Sequence, residues 1–233
     1  MHSTLIFNNT YLESEQSNIS QFSKDWDIKQ IYIFLSDICS IDTQIDQDII
    51  KPYTRDWSNI PGGYADLLVR PNSNEQCALL FALSNFYKIP ITISAGQTNL
   101  TGSATPKGGI ILSTSELNTP IPTVDMENQC VKTPIGISLE DMRIEVLQQS
   151  QNILYYPVDP TSRHDAYVGG TLSCNASGFI PGEKGATRYW VEEIELMLIN
   201  GYSLNIKRGQ YKSLNGFFNI QCGNQSIKLP IPK

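Results

Sequence analysis

The apolar positions of this chain come in short runs separated by turn residues, and their spacing predicts the elements in order. Ala65-Asp-Leu-Leu-Val69 reads as a buried strand that Pro71 ends. Ser73 with Gln76 forms a capping box for a helix whose apolar stripe is Cys77, Leu80, Phe81 and Tyr87. Pro90 then opens a second strand through Ile91 and Ile93, and Gly109-Ile-Ile-Leu112 gives a third. Strand, helix and strand at this length predict a right-handed parallel βαβ unit. Further on, Thr123-Val-Asp-Met126 and Gln129-Cys-Val-Lys-Thr133 read as a strand pair turning at Glu127-Asn128. Ser138 with Asp141 opens an amphipathic helix carrying Leu139, Met142, Val146 and Leu147 on one face. Ile194-Glu-Leu-Met-Leu-Ile199 and Tyr202-Ser-Leu-Asn-Ile206 alternate around Asn200-Gly201, the signature of a hairpin with a type I′ turn.

These elements predict an α+β fold in two lobes. A small parallel βαβ lobe covers about 51–122, and a mainly antiparallel lobe with flanking helices covers about 123–208. Residues 1–50 are rich in Asn, Gln, Ser and Asp, with one apolar patch at Ile31-Tyr-Ile-Phe-Leu35. They are expected to form a variable, loosely attached leader with one short element. After Arg208 the pattern decays, and the prolines near the end forbid a central strand, so 209–233 reads as an incomplete extension.

Composition narrows the function. Hydrophobic residues make up 40% and charged residues 17%, which places the chain among globular proteins. A net charge of −6 argues against a nucleic-acid groove or an anionic membrane surface, both of which select for excess Lys and Arg. The N-terminus lacks a basic segment leading into an apolar run, and no stretch approaches the ~20 apolar residues of a spanning helix. Cys39, Cys77, Cys130, Cys174 and Cys222 are odd in number and scattered, the pattern of free thiols in a reducing, cytoplasmic setting. With only His2 and His164, a His-based metal site is not expected.

The chemistry sits in two loops. Ser94-Ala-Gly-Gln-Thr-Asn-Leu-Thr-Gly-Ser103 leaves the carboxyl end of a parallel strand, where open α/β sheets bind ligands. A loop this small and polar suits backbone N–H groups converging on an anion, and a diphosphate is the natural one. A second loop of the same character, Tyr167-Val-Gly-Gly-Thr-Leu-Ser-Cys-Asn-Ala-Ser-Gly178, follows Asp159-Pro-Thr-Ser162. Together they read as a clamp on one long ligand. The glycine spacing is wrong for a P-loop, Ser103 stands where its lysine belongs, and no dinucleotide-binding glycine fingerprint follows the first strand. Singly, each glycine is a turn former; as an ordered set they point to binding.

In their order and spacing these features resemble the FAD-binding PCMH-type domain of the vanillyl-alcohol-oxidase/p-cresol-methylhydroxylase superfamily, in its D-lactate and glycolate dehydrogenase branch. The resemblance rests on the strand to Pro71, the capped helix, the loop to Gly102, Gly108-Gly109, Asp159-Pro-Thr-Ser162, Gly169-Gly170, Asn175-Ala-Ser-Gly178 and Thr187-Arg188 leading into Ile194. It runs from about residue 53 to 208 and implies FAD as cofactor.

The resemblance also implies the contacts. Ser94, Ala95, Gly96, Gln97, Thr98, Asn99, Leu100, Thr101 and Gly102 would cradle the pyrophosphate through backbone amides. Pro160, Thr161, Ser162, Gly169 and Gly170 would bracket the ribityl chain and flavin edge, with Ser173, Asn175, Ala176, Ser177 and Gly178 against the isoalloxazine ring. Ile194 or Leu196 would touch the adenine side. Lys184 or Arg188 would ease the negative charge that reduced flavin gathers. Ala95 and Gln97 stand where tethering family members place a His or Cys, and His164, read as a surface loop residue, is not at the tether position. The FAD is therefore expected to be non-covalent. The substrate implied is a small 2-hydroxy acid. The cap that would handle it is expected to be missing from these residues, so no catalytic residue is assigned. Two alternatives stand beside this reading: a truncated or split flavin-binding remnant that needs a separate cap polypeptide, and a reductase of cell-wall precursor synthesis on the same domain.

Overall fold

The computed structural model describes residues 4–231; positions 1–3 and 232–233, including His2 and the last proline, lie outside the described residues. In chain order the elements are β1 (Thr4–Phe7), α1 (Thr10–Ser14), α2 (Gln16–Ile19), α3 (Ile28–Ile33) running into a π-helical turn (Phe34–Ile38), β2 (Asp42–Gln44), α4 (Gln47–Ile50) with a 3-10 turn (Lys51–Thr54), β3 (Leu67–Arg70), α5 (Asn74–Tyr87), β4 (Ile91–Ser94) and β5 (Ile110–Ser113). Then come β6 (Thr123–Asp125), β7 (Cys130–Lys132), α6 (Leu139–Gln149), α7 (Val168–Ser173), a 3-10 turn (Glu183–Gly185), α8 (Thr187–Trp190), β8 (Glu193–Met197), β9 (Ser203–Lys207), β10 (Phe217–Cys222) and β11 (Gln225–Pro230). They fall into two compact units, one of Asp25–Ser73 and Ile89–Trp190, the other of Met1–Lys24, Asn74–Lys88 and Val191–Lys233.

The larger unit is built on a four-stranded sheet in the order β2-β3-β5-β4. β3 and β4 both run parallel to β5, which lies between them, so the predicted parallel arrangement is realised with one strand inserted. Leu67, Leu68, Val69, Ile110 and Ile111 are fully buried, as expected of central parallel strands covered on both faces. Ser138 caps α6, its hydroxyl accepting the Asp141 amide at 3.0 Å. Leu139, Met142 and Val146 then pack with Val124 and Val131 of the β6–β7 pair.

In the smaller unit β1 pairs in parallel with β10, and β10 pairs antiparallel with β11. The Asn200-Gly201 hairpin forms, but not as a type I′ turn. Leu198 and Tyr202 close it, Leu198 O accepts the Gly201 amide at 2.8 Å, and Gly201 has φ +81° while Asn200 does not have positive φ. The result is a three-residue loop with the left-handed position at its end, because Asn200 caps instead, its Oδ1 accepting the Tyr202 amide at 3.2 Å.

Two expectations about the chain ends need correction. Residues 4–50 are not loosely attached: β1 is a sheet strand, and Ile31, Phe34, Leu35, Ile41 and Ile50 are at most 2% exposed. A few well-placed apolar side chains anchor a segment whose average composition is polar, each contributing about 1.5–3 kcal/mol of burial. The tail beyond Arg208 likewise forms β10 and β11, and Pro230 is tolerated because β11 is an edge strand.

Candidate functional site

The first loop is fixed from below by the 52–58 segment, which precedes the first predicted strand. Gln97, at φ +56°, donates from Nε2 to the Arg55 carbonyl at 2.6 Å and the Pro52 carbonyl at 3.2 Å, and its own carbonyl accepts the Trp57 amide at 3.1 Å. Asp56 is 4% exposed. Its Oδ1 accepts the Ser58 amide at 3.0 Å and the Ser58 hydroxyl, and its Oδ2 accepts the Ala104 amide at 3.2 Å. Burial pushes the Asp56 carboxyl up, but the Ser58 and Ala104 donors outweigh it and hold the group below the ordinary carboxylate range. Asn99 folds the far side, its Oδ1 accepting from the Thr101 amide and hydroxyl, both at 3.1 Å, and from the Ser103 amide at 3.3 Å. Leu100 and Thr101 are exposed, and Gly102 abuts the Ile60 side chain. The amides of Gly96, Gln97, Thr98, Asn99 and Leu100 have no acceptor among the described residues.

The second loop meets the first directly. A Cβ on Gly96 would lie 1.7 Å from the Asp165 carbonyl oxygen, and one on Gly170 would lie 3.3 Å from the Ala95 Cβ. Only glycine allows the first of these approaches. Pro160 is buried and its carbonyl accepts the Arg163 amide at 3.1 Å, closing a turn with Thr161 exposed at its tip, and Ser162 O accepts the Asp165 and Ala166 amides in the turn that follows. That turn is pinned by a four-charge cluster: Arg163 lies 2.8 Å from both Glu140 and Asp159, and Arg143 reaches the same two carboxylates at 3.1 and 3.2 Å. Gly169 donates its amide to Ile135 O at 2.9 Å at the start of α7, and Ser173 is exposed at the other end. Asn175, at φ +48°, accepts the Arg188 amide on Oδ1 at 3.0 Å, and Ala176 O accepts both the amide and hydroxyl of Thr187. Ser177 bridges to Ala186, and a Cβ on Gly178 would lie 2.3 Å from the Asp159 nitrogen.

Where the loops meet there is a cavity of about 400 Å³ lined by Pro52, Tyr53, Ala95, Gly96, Gln97, Ser113, Ser115, His164, Asp165 and Tyr167. The Tyr167 hydroxyl is pushed up in pKa by burial, with the nearby Tyr53, Glu116 and Asp165 side chains adding to the shift, so it stays protonated and can donate a hydrogen bond. Ser94 is fully buried at the end of β4, and its hydroxyl has no partner among the described residues.

Of the expected site residues, those from Ser94 to Gly178 all lie in the larger unit, and Ala95, Gly96 and Gly170 are in mutual contact with the 165–166 backbone or each other. Arg188 lies on α8 of that unit, and Lys184 is exposed in the turn before it. Ile194 is on β8 of the smaller unit. The sequence reading missed Asp56 and Tyr53; an aspartate two residues before a serine is the Asx-turn signal that could have marked the first.

Comparison with known proteins gives the class first. The fold is similar to that of alkyldihydroxyacetonephosphate synthase, with a TM-score of 0.62 at 17% identity over 73% of this chain and 33% of that one. The FAD binding domain family matches residues 65–207, and the chain belongs to that family. It is 31% identical to a D-lactate dehydrogenase of Anaerostipes hadrus over 78% of this chain and 38% of that protein. It is 27% identical to a D-2-hydroxyglutarate dehydrogenase of Stutzerimonas stutzeri (strain A1501) over 74% of this chain and 36% of that protein. The chain thus spans under two-fifths of the length of these relatives.

The cofactor of this family is FAD, and the residues present fit it. A run of amides without acceptors among the described residues, in a loop where glycine admits close backbone approach, suits a diphosphate. No helix among the described residues is long and apolar enough to cross a membrane.

Proposed function

We propose that residues 51–208 hold FAD non-covalently for an oxidoreductase that oxidises a small D-2-hydroxy acid. The observation that carries the reading is the junction of the two loops, with Gly96 against Asp165 and the amides of 96–100 left without acceptors beside it. The relatives support the reaction class, since their names are those of D-lactate and D-2-hydroxyglutarate dehydrogenases.

The chemistry that FAD supplies in such a site is acceptance of a hydride from the substrate's hydroxyl-bearing carbon. This chain's part is to bind and orient. The 94–102 loop takes the diphosphate through its amides, and Pro160, Thr161, Ser162, Gly169 and Gly170 flank the chain beyond it. Ser173 and the 175–178 segment line the ring side, and Arg188 supplies positive charge there. Tyr167, kept protonated, offers a hydrogen bond within the cavity. Ala95 and Gln97 have no side chain able to tether flavin. The groups that bind the hydroxy acid and take its proton come from outside these residues, either from further sequence of the same chain or from a separate cap polypeptide. A cytoplasmic setting is part of the proposal, supported by five free cysteines, of which buried Cys77 is pushed up to about 12 and so stays a thiol.

The test is direct. Purified protein is expected to carry or take up FAD, to release it all into the supernatant on acid precipitation, and to be bleached anaerobically by D-lactate or D-2-hydroxyglutarate once a cap is supplied. Folded protein that stays colourless in excess FAD sinks the reading. Flavin that stays with the precipitate sinks the non-covalent part.

A further inference from the structure

The segment just before the family match carries an assignment of its own. The match begins at residue 65, whereas the contacts that shape the 96–104 loop come from residues 52–58. Resting on the reading that this loop takes a diphosphate, we infer that Asp56 is a positioning residue for the anion site. It sets the loop's shape without touching the ligand.

An aspartate beneath an anion loop is an unexpected choice, because its charge alone disfavours a phosphate nearby. Its surroundings explain it. The carboxylate is 4% exposed and answered by donors on both oxygens, the Ser58 amide and hydroxyl on one and the Ala104 amide on the other. The Ala104 bond spans 48 residues of sequence and fixes the far end of the loop to the 56–58 turn. Gln97 fixes the near end to the same segment through the Pro52 and Arg55 carbonyls and the Trp57 amide.

With both ends held and Asn99 turning the middle back on Thr101 and Ser103, the amides of Gly96 to Leu100 are the ones left over. An acid is suited to this task because a carboxylate is acceptor-only and takes several amide donors at once. An asparagine there would turn its NH₂ toward one of those donors.

The experiment separates loop shaping from general stability by using ligands with and without the diphosphate. Dissociation constants for FAD, ADP and riboflavin are measured by fluorescence or calorimetry for the wild type, Asp56→Ala and the milder Ser58→Ala, with thermal melts of each. If Asp56 positions the anion site, Asp56→Ala weakens FAD and ADP by about tenfold or more and leaves riboflavin within about twofold. Ser58→Ala shows the same selectivity at about threefold. Equal weakening of all three ligands, or none, overturns the inference while leaving the FAD reading intact. A folded wild type that binds none of the three overturns both. Should Asp56→Ala not fold, Ser58→Ala decides on the same pattern.

Discussion

The two glycine loops look alike in sequence, and the structure separates them. In the 94–103 loop the amides of 96–100 have no acceptor among the described residues, and the side chains of Gln97 and Asn99 do the bracing. In the 167–178 loop the backbone is largely self-satisfied: the amides of Gly169, Thr171, Cys174, Asn175, Ala176 and Gly178 all bond to carbonyls. Glycine serves close approach in both, at Gly96 against Asp165 and at Gly178 against Asp159. What differs is whether the amides remain open to a guest. The first loop has the makings of a diphosphate receptor and the second those of a buttress for it, whose own proposed role toward the ligand is to line the ring side.

The sharpest way to break this comparison is to add one methyl group to each loop. Gly96→Ala places a Cβ 1.7 Å from the Asp165 carbonyl oxygen, a backbone atom that can move only if the junction opens. We expect a stability loss of about 1–3 kcal/mol from overpacking. FAD affinity should fall about a hundredfold, as the open amides are displaced together. Gly178→Ala, with its Cβ 2.3 Å from the Asp159 nitrogen, should lose comparable stability yet keep FAD affinity within about tenfold in the fraction that remains folded. Melting curves paired with flavin titrations check both, and equal affinity losses would erase the distinction drawn between the loops.

How much of this was legible beforehand follows from what each feature depends on. The β3, β4 and β5 strands, the Ser138 cap and most of the α6 face were readable because local patterning fixes them, although Leu147, expected on that face with Leu139, Met142 and Val146, is exposed. The loops were readable as glycine-bearing turns, and glycine serves close backbone approach in both, at Gly96 and Gly178. What could not be read was which amides stay open, because that depends on acceptors distant in sequence: Arg55 for Gln97, Asp56 for Ala104, Ile135 for Gly169. The hairpin turn type was missed for a related reason, since Asn200 can either adopt positive φ or cap its neighbour, and here it caps. The anchoring of the N-terminal segment was hidden because it rests on five or so apolar side chains in a polar background.

A middle-sized test uses acid. Asp56 has a folded pKa below its unfolded value of about 4, so its contribution to stability is fully present above about pH 4 and is lost as pH falls through the folded value. Asp42, held low by Gln44 and Arg70 against its own burial, adds to the same loss. Stability measured by denaturant titration should therefore drop below about pH 4, and Asp56→Ala should flatten part of that drop while leaving the Asp42 part. An Asp56→Ala profile parallel to wild type would show that the loop does not depend on the ionised carboxylate.

The smallest expected effect lies in the second loop. The Thr187 hydroxyl donates to Ala176 O at 2.8 Å, and the same carbonyl already accepts the Thr187 amide at 3.0 Å. Thr187 is 4% exposed, so Thr187→Val keeps the shape, removes one of two donors to an oxygen that stays hydrogen-bonded, and takes away the hydroxyl that the Tyr156 side chain hydrogen-bonds. The cost should be about 1–2 kcal/mol in stability. Since no open amide is involved, FAD affinity should be unchanged within about twofold. A loss in FAD affinity larger than the loss in stability would mean that the second loop shapes the diphosphate site as directly as the first, and the buttress would have to be counted as part of that receptor.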